Sequence, residues 1–165
     1  MSKFKRLSPQ AIHSALEKAE RYRFLNEPAE AESICLDILT VEPQNQKALV
    51  ILLLALTDRV TKDYMVSASS AEQVVQQLSS AYDKAYYSGI ILERKAKAKL
   101  EQHSLEAGYM AFELLQQAMN CYEQAEALRP TGNDDALLRW NTCARIIDYN
   151  HLTPKSHDER EPFLE

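Results

Sequence analysis

The sequence predicts an all-α protein, an α-α superhelix of stacked helix pairs closed by one further helix. Three observations predict it. Only three glycines stand in 165 residues, Gly89, Gly108 and Gly132, and the six prolines lie outside the longest apolar-periodic stretches. A β-rich chain would need many tight turns, and turns consume glycine and asparagine. Apolar residues recur at three- and four-residue intervals along most of the chain, the spacing of one helix face. A set of small, aromatic and proline residues also recurs with matched offsets near the two ends.

Ser8-Pro9 marks the first helix start, because serine suits a cap and proline the first helical position. Ile12, Ala15, Leu16, Ala19 and Tyr22 then share a face. Asn26-Glu27-Pro28 interrupts, and a second helix carries Ala31, Ile34, Cys35, Ile38 and Leu39 before Pro43. Two short helices with a short joint lie antiparallel. Asn45 is expected to cap a third helix through Ala48, Leu49, Leu52, Leu53, Leu56 and Val60. That helix is apolar almost all round and should be the most buried. Residues 62–70 read as a loop. From Ala71 the helical rhythm continues to Leu100, as one long helix or as two with a bend at Ser88-Gly89. After a joint at 101–106, a helix with Tyr109, Phe112, Leu115, Ala118, Met119, Tyr122 and Ala125 runs towards Pro130. Asn133-Asp134-Asp135 opens the last helix, with Leu137, Leu138, Trp140, Ala144 and Ile147 on its apolar face. The expected divisions are an arm at 1–8, a helical domain at 9–149 and a tail at 150–165.

Composition narrows the function classes. The net charge of −5 disfavours nucleic acid as a partner, since phosphate binding needs a basic face. Residues 1–101 carry 14 Lys/Arg against 13 Asp/Glu, and residues 102–165 carry 5 against 11, so the C-terminal third is the acidic part. Cys35, Cys121 and Cys143 are odd in number, far apart and without metal-site spacing, which reads as reduced thiols of a cytoplasmic protein. No signal-peptide core follows the basic N-terminus. The run Ala48 to Leu56 is far shorter than the roughly 20 residues that cross a bilayer, so no membrane partner is expected. The four histidines show no metal spacing and no glycine-rich loop is present. No catalytic residue, metal or cofactor is therefore assigned, and the chain is read as a non-enzyme.

The matched offsets point to a known repeat. In residues 12–45, Ala19, Tyr22, Ala31 and Pro43 fall at offsets 8, 11, 20 and 32. Counting back from Pro130, Tyr109, Ala118, Tyr122 and Ala125 fall at offsets 11, 20, 24 and 27. This pattern resembles the tetratricopeptide repeat, or TPR, of 34 residues. The resemblance covers most of residues 9–149 and implies about three degenerate TPR-like helix pairs plus a C-terminal capping helix at about 133–149. The middle unit departs from the pattern, because it lacks a closing proline and residues 62–70 exceed the usual turn.

The resemblance also implies a groove lined by the first helix of each pair, which takes a protein or peptide segment. By position the lining includes His13, Leu16, Glu20 and Arg23, then Lys47, Val50, Leu54 and Thr57. Tyr86, Ile90, Arg94 and Lys97 follow, then Asp134, Leu137, Asn141 and Arg145. The partner-binding set expected from these is Arg23, Thr57, Tyr86, Ile90, Arg94, Leu137, Asn141 and Arg145. Leu16 and Glu20 stand where some members of the family place a carboxylate clamp, which argues against one here. Three functions remain open: an adaptor, a chaperone for a specific client, and a subunit of a homo-oligomer.

Overall fold

The computed structural model of the chain describes residues 3–59 and 64–156. Among these residues there is no strand. Seven helices follow in order: α1 (Ile12–Phe24), α2 (Pro28–Val41), α3 (Gln46–Asp58), α4 (Tyr64–Gln76), α5 (Ala81–Leu100), α6 (Leu105–Leu128) and α7 (Asp135–Tyr149). Each packs against its neighbours in sequence. The expected all-α superhelical arrangement is what the chain forms: pairs α1–α2, α3–α4 and α5–α6, with α7 against α6. In addition α3 touches both α1 and α5, so the first helices of the pairs adjoin across the array.

Local chemistry explains most boundaries. Asn45 caps α3 as expected, its Oδ1 accepting from the Ala48 N–H at 2.9 Å. Ser80 and Ser104 do the same for α5 and α6, accepting from Asp83 N–H at 3.2 Å and Ala107 N–H at 3.1 Å. Each cap satisfies an N–H that has no partner inside its helix. Ser8 behaves differently. Pro9–Ala11 forms a single 3₁₀ turn in which the Ser8 carbonyl, not its hydroxyl, accepts from Ala11. The αL turn after α1 falls on Asn26 (φ 59°), a residue that tolerates this conformation.

Three expectations need correction. Of the loop expected at 62–70, residues 64–70 belong to α4, while Lys62 and Asp63 lie outside the described residues. Ser67 and Ala68 are buried there, and Ala71, Val74, Val75 and Leu78 continue that face under α3. Ser67 is thus a packed helix residue, while Ser69 is exposed and Ser70 half-buried within the same helix, and none of the three stands at a helix start. The long rhythm from Ala71 to Leu100 breaks at 77–80, not at Ser88-Gly89; Ser80 starts a new helix and Gly89 sits inside it. The offsets counted back from Pro130 do not span a helix pair: Tyr109 and Ala118 lie together on the unbroken α6, as the single apolar face from Tyr109 to Ala125 requires, and α5 is the helix that pairs with it.

The core has two main parts. One joins α1 to α5 around α3, whose Leu49, Ile51, Leu52, Leu53 and Leu56 are all buried, as the all-round apolar pattern requires. The other joins α5, α6 and α7 around Tyr122 and Leu115. Leu54 and Tyr87 pack against both and weld them together. Residues 150–156 are not a free tail. Leu152 packs on the second core beside Gly108, and the Lys155 ammonium donates to Glu106 at 3.0 Å. The rest of the expected tail, residues 157–165, lies outside the described residues.

Gly89 is the tightest point of the helix packing. A Cβ there would stand 2.5 Å from Cε1 of the buried Tyr122 ring. Replacing it with alanine forces the ring or the helix to move, which costs about 1–3 kcal/mol, against a helix-propensity gain of about 1 kcal/mol. We expect Gly89→Ala to lower stability in urea unfolding followed by circular dichroism. In a Tyr122→Ala background the same change should be neutral or stabilising, because the ring that excludes the methyl is gone. Equal losses in both backgrounds would contradict the packing described.

Candidate functional site

The first helices of the three pairs converge on one cleft of about 320 Å³. Its apolar floor is Leu16 of α1, Val50 and Ile51 of α3, and Tyr87 of α5. Its rim carries His13, Glu17 and Glu20 from α1, Gln46 and Lys47 from α3, and Asp83 from α5. The helix period accounts for the grouping: residues 13, 16, 17 and 20 lie on one face of α1, as do 46, 47, 50 and 51 on α3. Glu20 and Lys47 are exposed, and neither they nor Asp83 form a side-chain ion pair within the described residues. His13 Nε2 lies 3.4 Å from Glu17 Oε1. Burial holds the Asp83 carboxyl above its ordinary range, and pushes the Tyr87 phenol up to about 12, with the Asp83 charge adding to the effect.

At the opposite end of the same helices the charge reverses. Arg23 Nε donates to Asp58 Oδ2 at 2.8 Å, and Arg94 Nη2 approaches Asp58 Oδ1 at 3.5 Å. Two guanidiniums share one carboxylate, so this end keeps a positive excess. The face built by α1, α3 and α5 is acidic towards the helix starts and basic towards their ends.

Next to this face stands a buried polar knot. Glu93 is 1% exposed, yet it accepts from Tyr122 Oη at 2.7 Å, Lys97 Nζ at 2.5 Å and Arg139 Nη1 at 3.3 Å. A lone carboxylate at that depth would be strongly disfavoured, and three donors from α5, α6 and α7 offset the cost. Burial and the Glu93 charge drive the Tyr122 phenol far above its usual range, so it stays a donor. Tyr82, Tyr86 and Tyr87 cluster beside it. Tyr86 stacks on Tyr82 with centroids 5.8 Å apart, meets Tyr87 edge-on at 5.1 Å and leans on Tyr122 at 5.9 Å.

The partner-binding residues expected from sequence divide accordingly. Arg23 and Arg94 do meet on one face, around Asp58. Thr57 and Ile90 are buried at 2% and 3%, so they are core residues and not groove lining. The Thr57 hydroxyl donates to the Leu54 carbonyl at 2.7 Å. Tyr86 is half-buried in the aromatic cluster. Leu137 and Asn141 are half-buried on α7, and Arg145 is exposed further along it; none of the three lines the cleft. The basic run 94–99 is dispersed: Arg94 faces Asp58, Lys95 pairs with Glu72, Lys97 with Glu93, and Ala96 is buried. Of the lining residues, His13, Leu16, Glu20, Lys47 and Val50 are those expected from sequence, and Glu17, Gln46, Ile51, Asp83 and Tyr87 are not. The position of Asp83 one turn before Tyr86 and Tyr87 was the available signal, hidden while the start of α5 was misplaced.

A larger cleft of about 580 Å³ lies between the arm (Phe4 to Leu7) and α2, with Leu36 and Asp37 on its wall. One wall is the extended arm, and the Arg59–Glu32 ion pair (2.5 Å) already crosses it. Lys5, Arg6 and Asp37 also line it, so it has charges of its own, but it lacks the convergence of three packed helices that builds the smaller cleft. No group of three or more His, Cys, Asp or Glu residues could hold a metal among the described residues, and no described helix is long and apolar enough to cross a membrane. Comparisons with family models, curated proteins and solved structures return no match.

Burial also governs the thiols. Cys35 and Cys143 are fully buried and pushed from 9.0 up to about 12, mainly by desolvation, with Glu32 and Glu93 respectively adding to it. Above pH 9 the unfolded chain releases these protons while the folded chain keeps them. The unfolded state then binds fewer protons, so stability falls as pH rises from about 9 towards 12. Urea midpoints at pH 8, 9.5 and 10.5 should show this decline, with a shallower slope in Cys35→Ala and Cys143→Ala. Slopes identical to wild type would contradict the burial. Native protein at pH 8 should expose to a thiol reagent only the half-buried Cys121, and the other two thiols after denaturation.

Proposed function

We propose that the chain is a non-catalytic, TPR-like adaptor that holds a segment of another protein in the cleft of α1, α3 and α5. The observation that carries this reading is that one cleft collects an apolar floor and unpaired charges from three separate helices. A side chain that only stabilises the fold has no need to leave Glu20, Lys47 and Asp83 unpaired on one rim. An apolar centre ringed by polar groups is the usual anatomy of a recognition surface. The pairing of helices and the tight Gly89–Tyr122 approach agree with the TPR resemblance, in which a small residue of the first helix receives a large residue of the second. A cytoplasmic location is part of the same reading, as is the absence of nucleic-acid partners, which rests on the net charge.

A subunit of a homo-oligomer is the second reading, favoured by Phe4 at 95% and Leu36 at 51% exposure beside the arm. The two readings use different faces and separate experimentally. A photo-reactive amino acid replacing Glu20 should cross-link a partner from the native lysate, and Val50→Arg, which fills the cleft floor, should abolish that product at unchanged helicity and melting. The same amino acid replacing Arg145 should give no such product. A product insensitive to Val50→Arg, or a self-adduct with an apparent mass in gel filtration well above 18.8 kDa, would favour the oligomer.

A further inference from the structure

The charge order along α1, α3 and α5 says what kind of segment the cleft selects. Resting on the adaptor reading above, we propose that the occupant is an extended segment with a basic side chain and an acidic side chain four or five residues apart, and an apolar side chain between them.

The argument starts with charge. The cleft end carries Glu17, Glu20 and Asp83 against one ammonium, Lys47. His13 Nε2 lies 3.4 Å from Glu17 Oε1 with both side chains largely exposed, and a neutral imidazole leaves that carboxylate its charge. The starts of α3 and α5 add partial positive charge, but Asn45 and Ser80 cap N–H groups there, and a helix terminus is equivalent to roughly half a charge. The carboxylate excess survives. A lysine or arginine entering this end places its cation among the carboxylates and lays its methylene stem on Leu16 and Val50. Tyr87 lines the same end, and an aromatic ring beside a cation attracts it.

The other end takes the opposite sign. Arg94 is about a third exposed and only loosely engaged at 3.5 Å, so it can turn to an incoming carboxylate without stripping Asp58, which Arg23 still holds. The separation follows from helix geometry. Val50 to Asp58 is eight residues and Asp83 to Arg94 is eleven, or about 12–17 Å at 1.5 Å per residue. An extended chain covers that in about four or five residues. A segment with the two charges on adjacent residues reaches only one end. A uniformly acidic segment meets the carboxylates at the other.

Random twelve-residue peptides displayed on phage, selected against the full chain at low salt, test this. Enriched peptides should pair Lys or Arg with Asp or Glu four or five positions away, and should bind about tenfold more weakly to Glu17→Lys/Glu20→Lys. Arg94→Glu should weaken them independently. Raising the salt should weaken binding to wild type more than to either variant. Val50→Arg, checked for unchanged helicity, establishes whether the cleft is used at all. Peptides that need Val50 but show no charge pair, or tolerate both charge reversals, would overturn the proposal and leave the adaptor reading standing. If no selected peptide depends on Val50, the cleft is not a peptide site and both readings fall.

Discussion

The structure depends most on the closure of Tyr122 over Gly89 and Glu93. One aromatic side chain makes two demands at once. Its ring needs a neighbour with no Cβ, which only glycine supplies, and its hydroxyl needs a buried acceptor, which here is the compensated Glu93 carboxylate. Meeting the first seats the ring of α6 directly on the backbone of α5. Meeting the second places a charge in the core, and that charge recruits Arg139 from α7 and Lys97 from its own helix. Three helices are therefore fixed in rotation and height by one contact. The Tyr82–Tyr86–Tyr87 ridge is set beside it, and the last wall of the cleft follows.

The first half of the array is held by different physics. α3 is apolar all round because it is enclosed by α1, α2, α4 and α5, and its burial needs shape but no polar partners. Such a core tolerates variation in detail, whereas the α5–α7 core specifies register. Leu54 and Tyr87 join the two, so the position of α5 relative to α3 inherits the precision of the polar knot. The cleft lies on that joint. Its floor comes from the tolerant half and Tyr87 from the specified one.

Helix identity was legible in the sequence wherever a face was apolar and a cap or proline stood at its end, as for α1, α2, α3 and α6. It failed at α4, where Ser67, Ser69 and Ser70 signalled turns while Ala68 and Ala71 carried the packing. Burial overrode local preference there. The break at 77–80 was hidden because the apolar rhythm runs through it almost in phase. Legibility of the site was partial for a related reason. Spacing places a residue on a face of its own helix but does not say how deep that face lies, so Thr57 and Ile90 were assigned to a surface that the neighbouring helix covers. Glu93 was passed over because carboxylates normally face water, and no sequence pattern announces three donors converging from separate helices.

The mode of attachment of α1 has a consequence for the life of the cleft. This helix packs mainly on α2, with a smaller contact on α3, and in a stacked array the terminal unit loses least when it detaches. Yet α1 supplies the acidic rim. Fraying of the first pair therefore dismantles the cleft before the rest of the array unfolds, and a segment gripped by both α1 and α5 acts as a cross-brace that holds the loose end of the protein to its rigid one.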